Sequence, residues 1–172
     1  MGRSAVVTGA SRGIGKAICE RFAKEGIDIV FNYSNDVNGA NDTVALCEKY
    51  GVKAYAIKAN VSDSAECADF IKKALELLGG RIDILVNNAG ITRDNLIMKM
   101  SDEDLDTVVD VNLKGSFYMM REVAKLMLKQ RSGRIINMSS VVGLRGNAGQ
   151  VNYSATKAAV IGMTKSLAKE LA

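Results

Sequence analysis

The chain has no histidine and no proline, and only three cysteines, Cys19, Cys47 and Cys67, among its 172 residues. Without imidazole there is no His-based catalytic triad and no histidine metal ligand. The cysteines are odd in number, far apart and without CxxC spacing. That excludes a disulfide scaffold and a zinc site, so no metal is expected, and a reducing cytoplasm is the expected compartment. No run of about 18 apolar residues occurs, so no membrane span is expected. The start, MGRSAVVTGA, has no long apolar core or cleavage pattern and passes straight into a strand pattern, against a secretory leader. Val6 stands where myristoylation after Gly2 wants Ser or Thr. A charge of one sign is also missing. The 23 basic and 19 acidic residues leave +4, spread along the helices with no stripe suited to a nucleic-acid backbone.

Hydrophobic residues make up 48% and charged residues 24%, the balance of an ordinary globular chain. Two periodicities alternate along it. Strand patterns are read at 4–8, 27–33, 53–58, 82–87 and 134–139. Between them run helical patterns. The first places Ile14, Ile18, Phe22 and Ala23 near one face and ends at Gly26; the others cover 38–50, 64–78, about 102–130, and from near Tyr153 to Ala172. Asp63 with Glu66, and Ser101 with Asp104, have capping-box spacing. Strands alternating with helices of this length predict βαβ units. Continuous apolar strands such as AVV and ILV predict a parallel sheet covered on both faces. The expected fold is α/β: a doubly wound, Rossmann-type, three-layer α/β/α sheet in a single domain over 1–172.

Residues 8–15, TGASRGIG, carry Gly9, Gly13 and Gly15 between a strand and a helix. Glycines there let backbone approach a pyrophosphate, and the helix start offers unpaired N–H groups to the anion. A glycine turn without a ligand has the same spacing. The second strand ends at Phe31, Asn32, Tyr33 and Ser34 with no acid to accept from an adenine ribose. That absence, with Arg12 in the turn, favours NADP(H) over NAD. Asp36 lies a few residues past the strand end, beyond the reach expected of a ribose ligand. Tyr153 and Lys157, four apart, share a helix face. A phenol alone is a weak acid at neutrality, and a neighbouring ammonium favours its anion.

These motifs together resemble the short-chain dehydrogenase/reductase family, and within it the bacterial 3-oxoacyl-[acyl-carrier-protein] reductases. TGASRGIG, NNAG at 87–90, Asn112, a serine thirteen residues before a tyrosine, and YSATK at 153–157 stand in the family order. The resemblance implies a catalytic set of Asn112, Ser140 (by that spacing, rather than Ser139), Tyr153 and Lys157. It implies cofactor contacts at Gly9, Ser11, Arg12, Gly13, Ile14, Gly15, Asn32, Tyr33, Ser34, Asn60, Val61, Asn88, Ala89, Gly90, Tyr153 and Lys157. Asn87 belongs to the element that supports the central sheet. Substrate contacts would be Ser140, Tyr153 and Gln150, the last in the flexible-looking stretch 143–151. The implied activity is NADPH-dependent reduction of a 3-oxoacyl group on acyl carrier protein, in fatty acid biosynthesis. Lys129 and Arg131 are candidates to meet the acidic carrier, although basic residues also suit a helix C-terminus. Relatives form tetramers through the two long helices, where Met119, Met120, Val123, Met127, Val160, Met163 and Leu167 serve either such contacts or the sheet. A homotetramer or homodimer is therefore expected.

The family pattern continues past the last helix into a sixth strand, a Pro-Gly loop, a substrate lid, a further helix and a seventh strand. None of these lies in the 172 residues. The expectation is thus five strands with strands 6–7 missing, a C-terminally incomplete domain, and one open sheet edge. A second basic carrier contact would lie just beyond Ala172. Two other readings remain: a related carbonyl or alcohol dehydrogenase acting on an acyl-CoA, sugar or steroid, or a non-catalytic nucleotide-binding fragment.

Overall fold

The computed structural model describes residues 2–172. The strands β1 (Ser4–Val7), β2 (Asp28–Tyr33), β3 (Ala54–Lys58), β4 (Ile84–Asn87) and β5 (Arg134–Asn137) form one sheet in the order β3-β2-β1-β4-β5. Every pairing is parallel, with Val6 opposite Val30 and Leu85. Side chains alternate across a strand, so neighbours serve opposite faces. Val6, Val30 and Leu85 face helices α3 (Ser64–Leu77) and α5 (Gly115–Gln130), meeting Phe70, Met119 and Val123. Val7, Ile29, Phe31 and Val86 face α1 (Gly13–Lys24) and α2 (Val37–Glu48), meeting Cys19 and Cys47. Both faces are covered, which is why these strands read as apolar runs rather than alternating ones. The expected doubly wound α/β/α sheet is the one observed.

The chain leaves β1 toward β2 on one side and reaches β4 on the other. The loops after β1 and β4 therefore diverge over a crevice at the strands' C-terminal ends, where such sheets bind ligands. Three further helices are the short α4 (Asp102–Val108) and α6 (Val142–Arg145) and the long α7 (Val151–Glu170), the last lying beyond β5 in sequence.

Local departures from expectation have physical causes. Ile14 is 64% exposed, while the core face of α1 runs through Gly15, Cys19 and Ala23. The helix begins only at Gly13, so its first turn overhangs the crevice instead of the sheet. The expected helix at 102–130 is interrupted. After α4, residues Val109–Lys114 form a wider π-helical segment before α5 begins, a distortion often found at functional sites. Ser101 and Asp104 make the full capping box, whereas Asp63 caps α3 alone. Glu66 turns away and accepts from the Asn60 N–H at 2.8 Å instead. The stretch 143–151, read as flexible, contains part of α6.

Met119, Met120, Val123, Met127 and Val160 are all buried in the chain's own core, so they face inward rather than a partner copy. β5 lies at an edge of the sheet, with Ile136 45% exposed. Beside it, Met127, Leu128, Arg131, Ile135, Thr164 and Leu167 line a groove of about 640 Å³. Among the described residues, no helix is long and apolar enough to cross a membrane.

Candidate functional site

The crevice is a cleft of about 700 Å³. One end is walled by Gly9, Ser11, Arg12, Gly13 and Ile14, with Asn32, Tyr33 and Ser34 from the end of β2. Asn60 and Val61 add the wall after β3, and Asn88, Ala89 and Gly90 the wall after β4. Tyr153 and Lys157 from α7 close the other end, with Ser139. No Asp or Glu lines the cleft among the described residues, while Arg12, Arg93 and Lys157 do, so it favours an anion.

Backbone geometry explains the glycine spacing. Gly9 sits at φ 67°, and a Cβ there would lie 2.9 Å from the Ala89 Cα. At Gly15 a Cβ would press on the Gly9 carbonyl oxygen and come within 2.7 Å of the Asn88 side-chain nitrogen. These two glycines let the first turn pack against NNAG. Gly13 differs: at φ 57° nothing lies within 4 Å of a Cβ, so that side is open. Arg12 precedes α1 without any side-chain cap, and the first turn of α1 carries no acid. Helix starts leave N–H donors unpaired and partly positive. An open glycine over an uncapped helix start is a fit cradle for a pyrophosphate.

Buried amides and hydroxyls hold the loops in place. Asn32, 3% exposed, accepts the Gly9 N–H at 3.0 Å and donates to the Ala59 carbonyl at 2.8 Å. Its polar atoms thus brace the turn, even though the residue lines the cleft. Thr8 accepts from the N–H groups of Asn88 and Ala89, both at 2.9 Å, and the Asn88 amide donates back to the Thr8 and Gly9 carbonyls. Thr43 on α2 donates to the Ala10 carbonyl at 2.9 Å. Sequence reasoning passed over Thr8 and Thr43. For Thr8 the signal was its place directly before the first glycine; for Thr43 there was none. Asp36 caps α2, its carboxylate accepting from the Gly39 N–H at 2.9 Å, and is not among the lining residues.

At the other end, Lys157 is 5% exposed and donates to the Met138 carbonyl at 2.7 Å. Burial pushes its ammonium below the ordinary lysine range. Its nitrogen lies 5.6 Å from the centre of the Tyr153 ring and near Gly90, where a Cβ would stand 3.6 Å away. An ammonium has three donors and this one spends a single bond within the chain. The two adjacent serines differ in hydrogen bonding. Ser139 donates its hydroxyl proton to the Lys157 carbonyl at 2.7 Å. Ser140 accepts from the Val142 N–H at 3.3 Å, which leaves its own proton free, although Ser139 and not Ser140 is among the residues lining the cleft. Gly143 then packs so closely on α7 that a Cβ would come within 2.7 Å of the Lys157 backbone.

Asn112, in the π-helical segment, accepts the Ile91 N–H at 2.8 Å and donates to the Ile91 carbonyl at 2.9 Å and to Thr156 at 3.3 Å. Gln150 is tied to Asp94 at 2.8 Å and Asn147 at 3.0 Å and lies outside the cleft wall. Lys129 and Arg131 stand at the C-terminus of α5, well away from the cleft lining. Arg131 adopts the left-handed conformation, φ 52°, that usually falls to glycine.

A parallel sheet with a glycine turn, an uncapped helix start and a crevice at its switch point defines a Rossmann-type nucleotide-binding protein. A family model described as short chain dehydrogenase matches residues 3–172, and the chain belongs to that family. It is 52% identical over 172 residues to the 3-oxoacyl-[acyl-carrier-protein] reductase FabG of Staphylococcus aureus (strain Mu50), covering 100% of this chain and 70% of that protein. It is 53% identical over 168 residues to the 3-oxoacyl-[acyl-carrier-protein] reductase of a Synechocystis species, covering 98% and 68%. A solved structure described as a short-chain alcohol dehydrogenase from Sinorhizobium meliloti 1021 superimposes with a TM-score of 0.94 at 38% identity. That match covers 98% of this chain and 66% of the solved one. The chain therefore spans about two thirds of the length of these relatives.

Proposed function

We propose that the chain is the nucleotide-binding and reducing portion of an NADPH-dependent reductase of 3-oxoacyl groups on acyl carrier protein. Its setting would be fatty acid biosynthesis in the cytoplasm. One observation carries the reading: a single cleft has the glycine turn and Arg12 at one end and Tyr153 with Lys157 at the other. The carrier-linked substrate is taken from the names of the relatives that share about half of the sequence.

The residues present suit a phosphorylated dinucleotide. The open side of Gly13 and the start of α1 would receive the pyrophosphate, and Asn60 and Val61 would flank the adenine. Arg12, Tyr33 and Ser34 would meet the ribose phosphate, with no carboxylate among the described residues lining the cleft to repel it. Bound there, the nicotinamide supplies the hydride. The chain supplies position and charge. Ser140 donates its free proton to the substrate carbonyl oxygen and steadies the negative charge that develops on it. The Tyr153 hydroxyl gives up its proton to the same oxygen. Lys157 holds a positive charge beside the phenol, and its two unspent donors would be available to the cofactor ribose. Asn112 fixes the loop at Ile91. Arg131, with Lys129, meets the acidic carrier outside the cleft. Assembly as a homotetramer or homodimer belongs to the same proposal; Phe117 and Leu128 are the exposed apolar positions on α5.

The test is Tyr153→Phe, assayed by loss of reduced nicotinamide absorbance with a 3-oxoacyl carrier substrate. Turnover should fall by about 10²- to 10⁴-fold, the worth of a positioned proton donor. Undiminished carbonyl reduction sinks the assignment. Arg12→Ala should weaken NADPH binding more than NADH binding, and an equal loss for both would mean that Arg12 does not read the ribose phosphate.

A further inference from the structure

Asn152 immediately precedes Tyr153 and is 0% exposed. Its side-chain oxygen accepts the Tyr153 backbone N–H at 2.7 Å. Its nitrogen donates to the Arg93 carbonyl at 3.0 Å and to the Asp104 carbonyl at 3.4 Å. The first turn of a helix leaves N–H groups without partners. In α7 the Ser154 N–H finds the Gln150 carbonyl, at 2.8 Å, and the Tyr153 N–H finds Asn152. One amide thus takes up the Tyr153 N–H in the first turn and ties that turn to two other segments, the loop after Gly90 and the end of α4's first turn.

That loop is the relevant wall. Ile91, Thr92 and Arg93 line the cleft together with Tyr153. Asn112 grips the loop at Ile91 and Asn152 grips it at Arg93. Just outside, the Asn95 N–H donates to the Gly149 carbonyl at 2.9 Å, and Gln150 bonds Asp94 at 2.8 Å. The Tyr153 hydroxyl itself makes no hydrogen bond to any described residue, so the ring is located by its backbone. Whatever fixes the start of α7 relative to the loop fixes the phenol relative to the cleft.

We infer that Asn152 is a positioning residue for the reduction, clamping the start of α7 to residues 91–93 so that the phenol lies at proton-transfer distance from the substrate. The inference rests on the assignment of Tyr153 as proton donor. The chemistry asks for one acceptor and two donors on a short buried side chain, which asparagine has and aspartate lacks. Serine keeps an acceptor at the start of the helix but is too short to reach Arg93.

The test uses Asn152→Ala and Asn152→Ser in two measurements. Hydrogen–deuterium exchange reads the clamp without turnover, and in both variants the amides of residues 91–95 should exchange faster than in the parent. Steady-state kinetics read its consequence. In both variants kcat should fall about 10- to 100-fold, the scale of an ångström's misplacement. KM for the acyl substrate and Kd for NADPH should stay within about threefold, because the glycine turn does not depend on this amide. Unchanged exchange at 91–95 overturns the clamp. Faster exchange with parental kcat overturns the positioning role, and so does full rescue by serine, which would leave simple helix capping. A parent that reduces no 3-oxoacyl substrate refutes the functional reading instead, and exchange alone then decides the clamp.

Discussion

Adding one methyl group at Gly13 separates a phosphate cradle from a glycine turn of purely structural use. Gly13→Ala places an L side chain at φ 57° but finds nothing within 4 Å of the new Cβ. The fold should lose only the left-handed strain, about 1–2 kcal/mol. For a chain of this length each kcal/mol moves Tm by about 2–4 °C. Gly26→Ala is the control: φ is 70°, nothing lies within 4 Å, and the residue sits at the far end of α1. It should cost the same strain and leave the cleft untouched. Binding separates the two. At position 13 the methyl fills the space over the uncapped helix start, and each lost hydrogen bond to a charged phosphate is worth about 1.5–3 kcal/mol. NADPH Kd should rise about tenfold or more, since 1.4 kcal/mol is about a factor of ten. Gly15→Ala is the opposite case, because its Cβ meets Asn88 at 2.7 Å and the Ala10 Cα at 2.8 Å. Overpacking of about 1–3 kcal/mol is expected there, with stability and affinity lost together. Thermal melts and fluorescence titration with NADPH read both quantities. If Gly13→Ala binds NADPH as tightly as Gly26→Ala, position 13 does not cradle a phosphate.

Arg131→Gly should raise Tm by a few degrees, because glycine accepts φ 52° without the strain of about 1–2 kcal/mol. If Arg131 meets the carrier, the same variant should raise KM for carrier-linked substrate but not for a carrier-free ketone; equal effects on both refute that role. Lys157→Met removes an ammonium whose folded-state pKa lies below its ordinary 10.5. Between those two values the unfolded parent binds more protons, so parental stability rises with pH. The advantage of Met over Lys should therefore be greatest below the folded pKa and shrink toward pH 10.5 in urea denaturation; an advantage that grows with pH contradicts the assigned cause. Asn32→Asp keeps the acceptor for Gly9 but sets a buried carboxylate oxygen against the Ala59 carbonyl, now 2.8 Å from a donor. It should cost at least about 1–3 kcal/mol, and a neutral result in the same assay would mean that Asn32 does not brace the turn.

The strands and the order of elements were legible because burial on both faces writes itself as continuous apolar runs, as in AVV and ILV. Helix faces were less legible near the site. Ile14 looked like a core residue by spacing, yet the first turn of α1 overhangs a cleft and needs no core contact there. Glu66 had capping-box spacing, but the Asn60 N–H offered a competing donor. The break at Val109–Lys114 leaves no periodic signal, since a single wide turn alters hydrogen bonding without changing composition. The candidate site was legible where its chemistry is local: the glycine turn, and Tyr153 with Lys157 one helical turn apart. Partnerships between segments distant in sequence were not. Asn152 to Arg93, Thr43 to Ala10 and Thr8 to Asn88 each join residues with no mutual pattern.

Those hidden partnerships share a cause. At the C-terminal ends of parallel strands the regular ladder stops, and the backbone of each loop must still pair its donors and acceptors. An asparagine amide offers both in one short side chain. Asn32 joins the loops after β1 and β3, Asn88 those after β1 and β4, and Asn112 and Asn152 fasten the loop after β4 to the helical layer. A cleft at this edge can be polar on its rim and rigid in its walls only if such amides replace the missing ladder. Asn32 shows the consequence for reading a site. It lines the cleft at the end of β2, and its side-chain oxygen and nitrogen also hold the turn. Under the proposed function a ribose phosphate would fall to Arg12, Tyr33 and Ser34, which line the same end of the cleft and whose side chains make no hydrogen bond to any described residue.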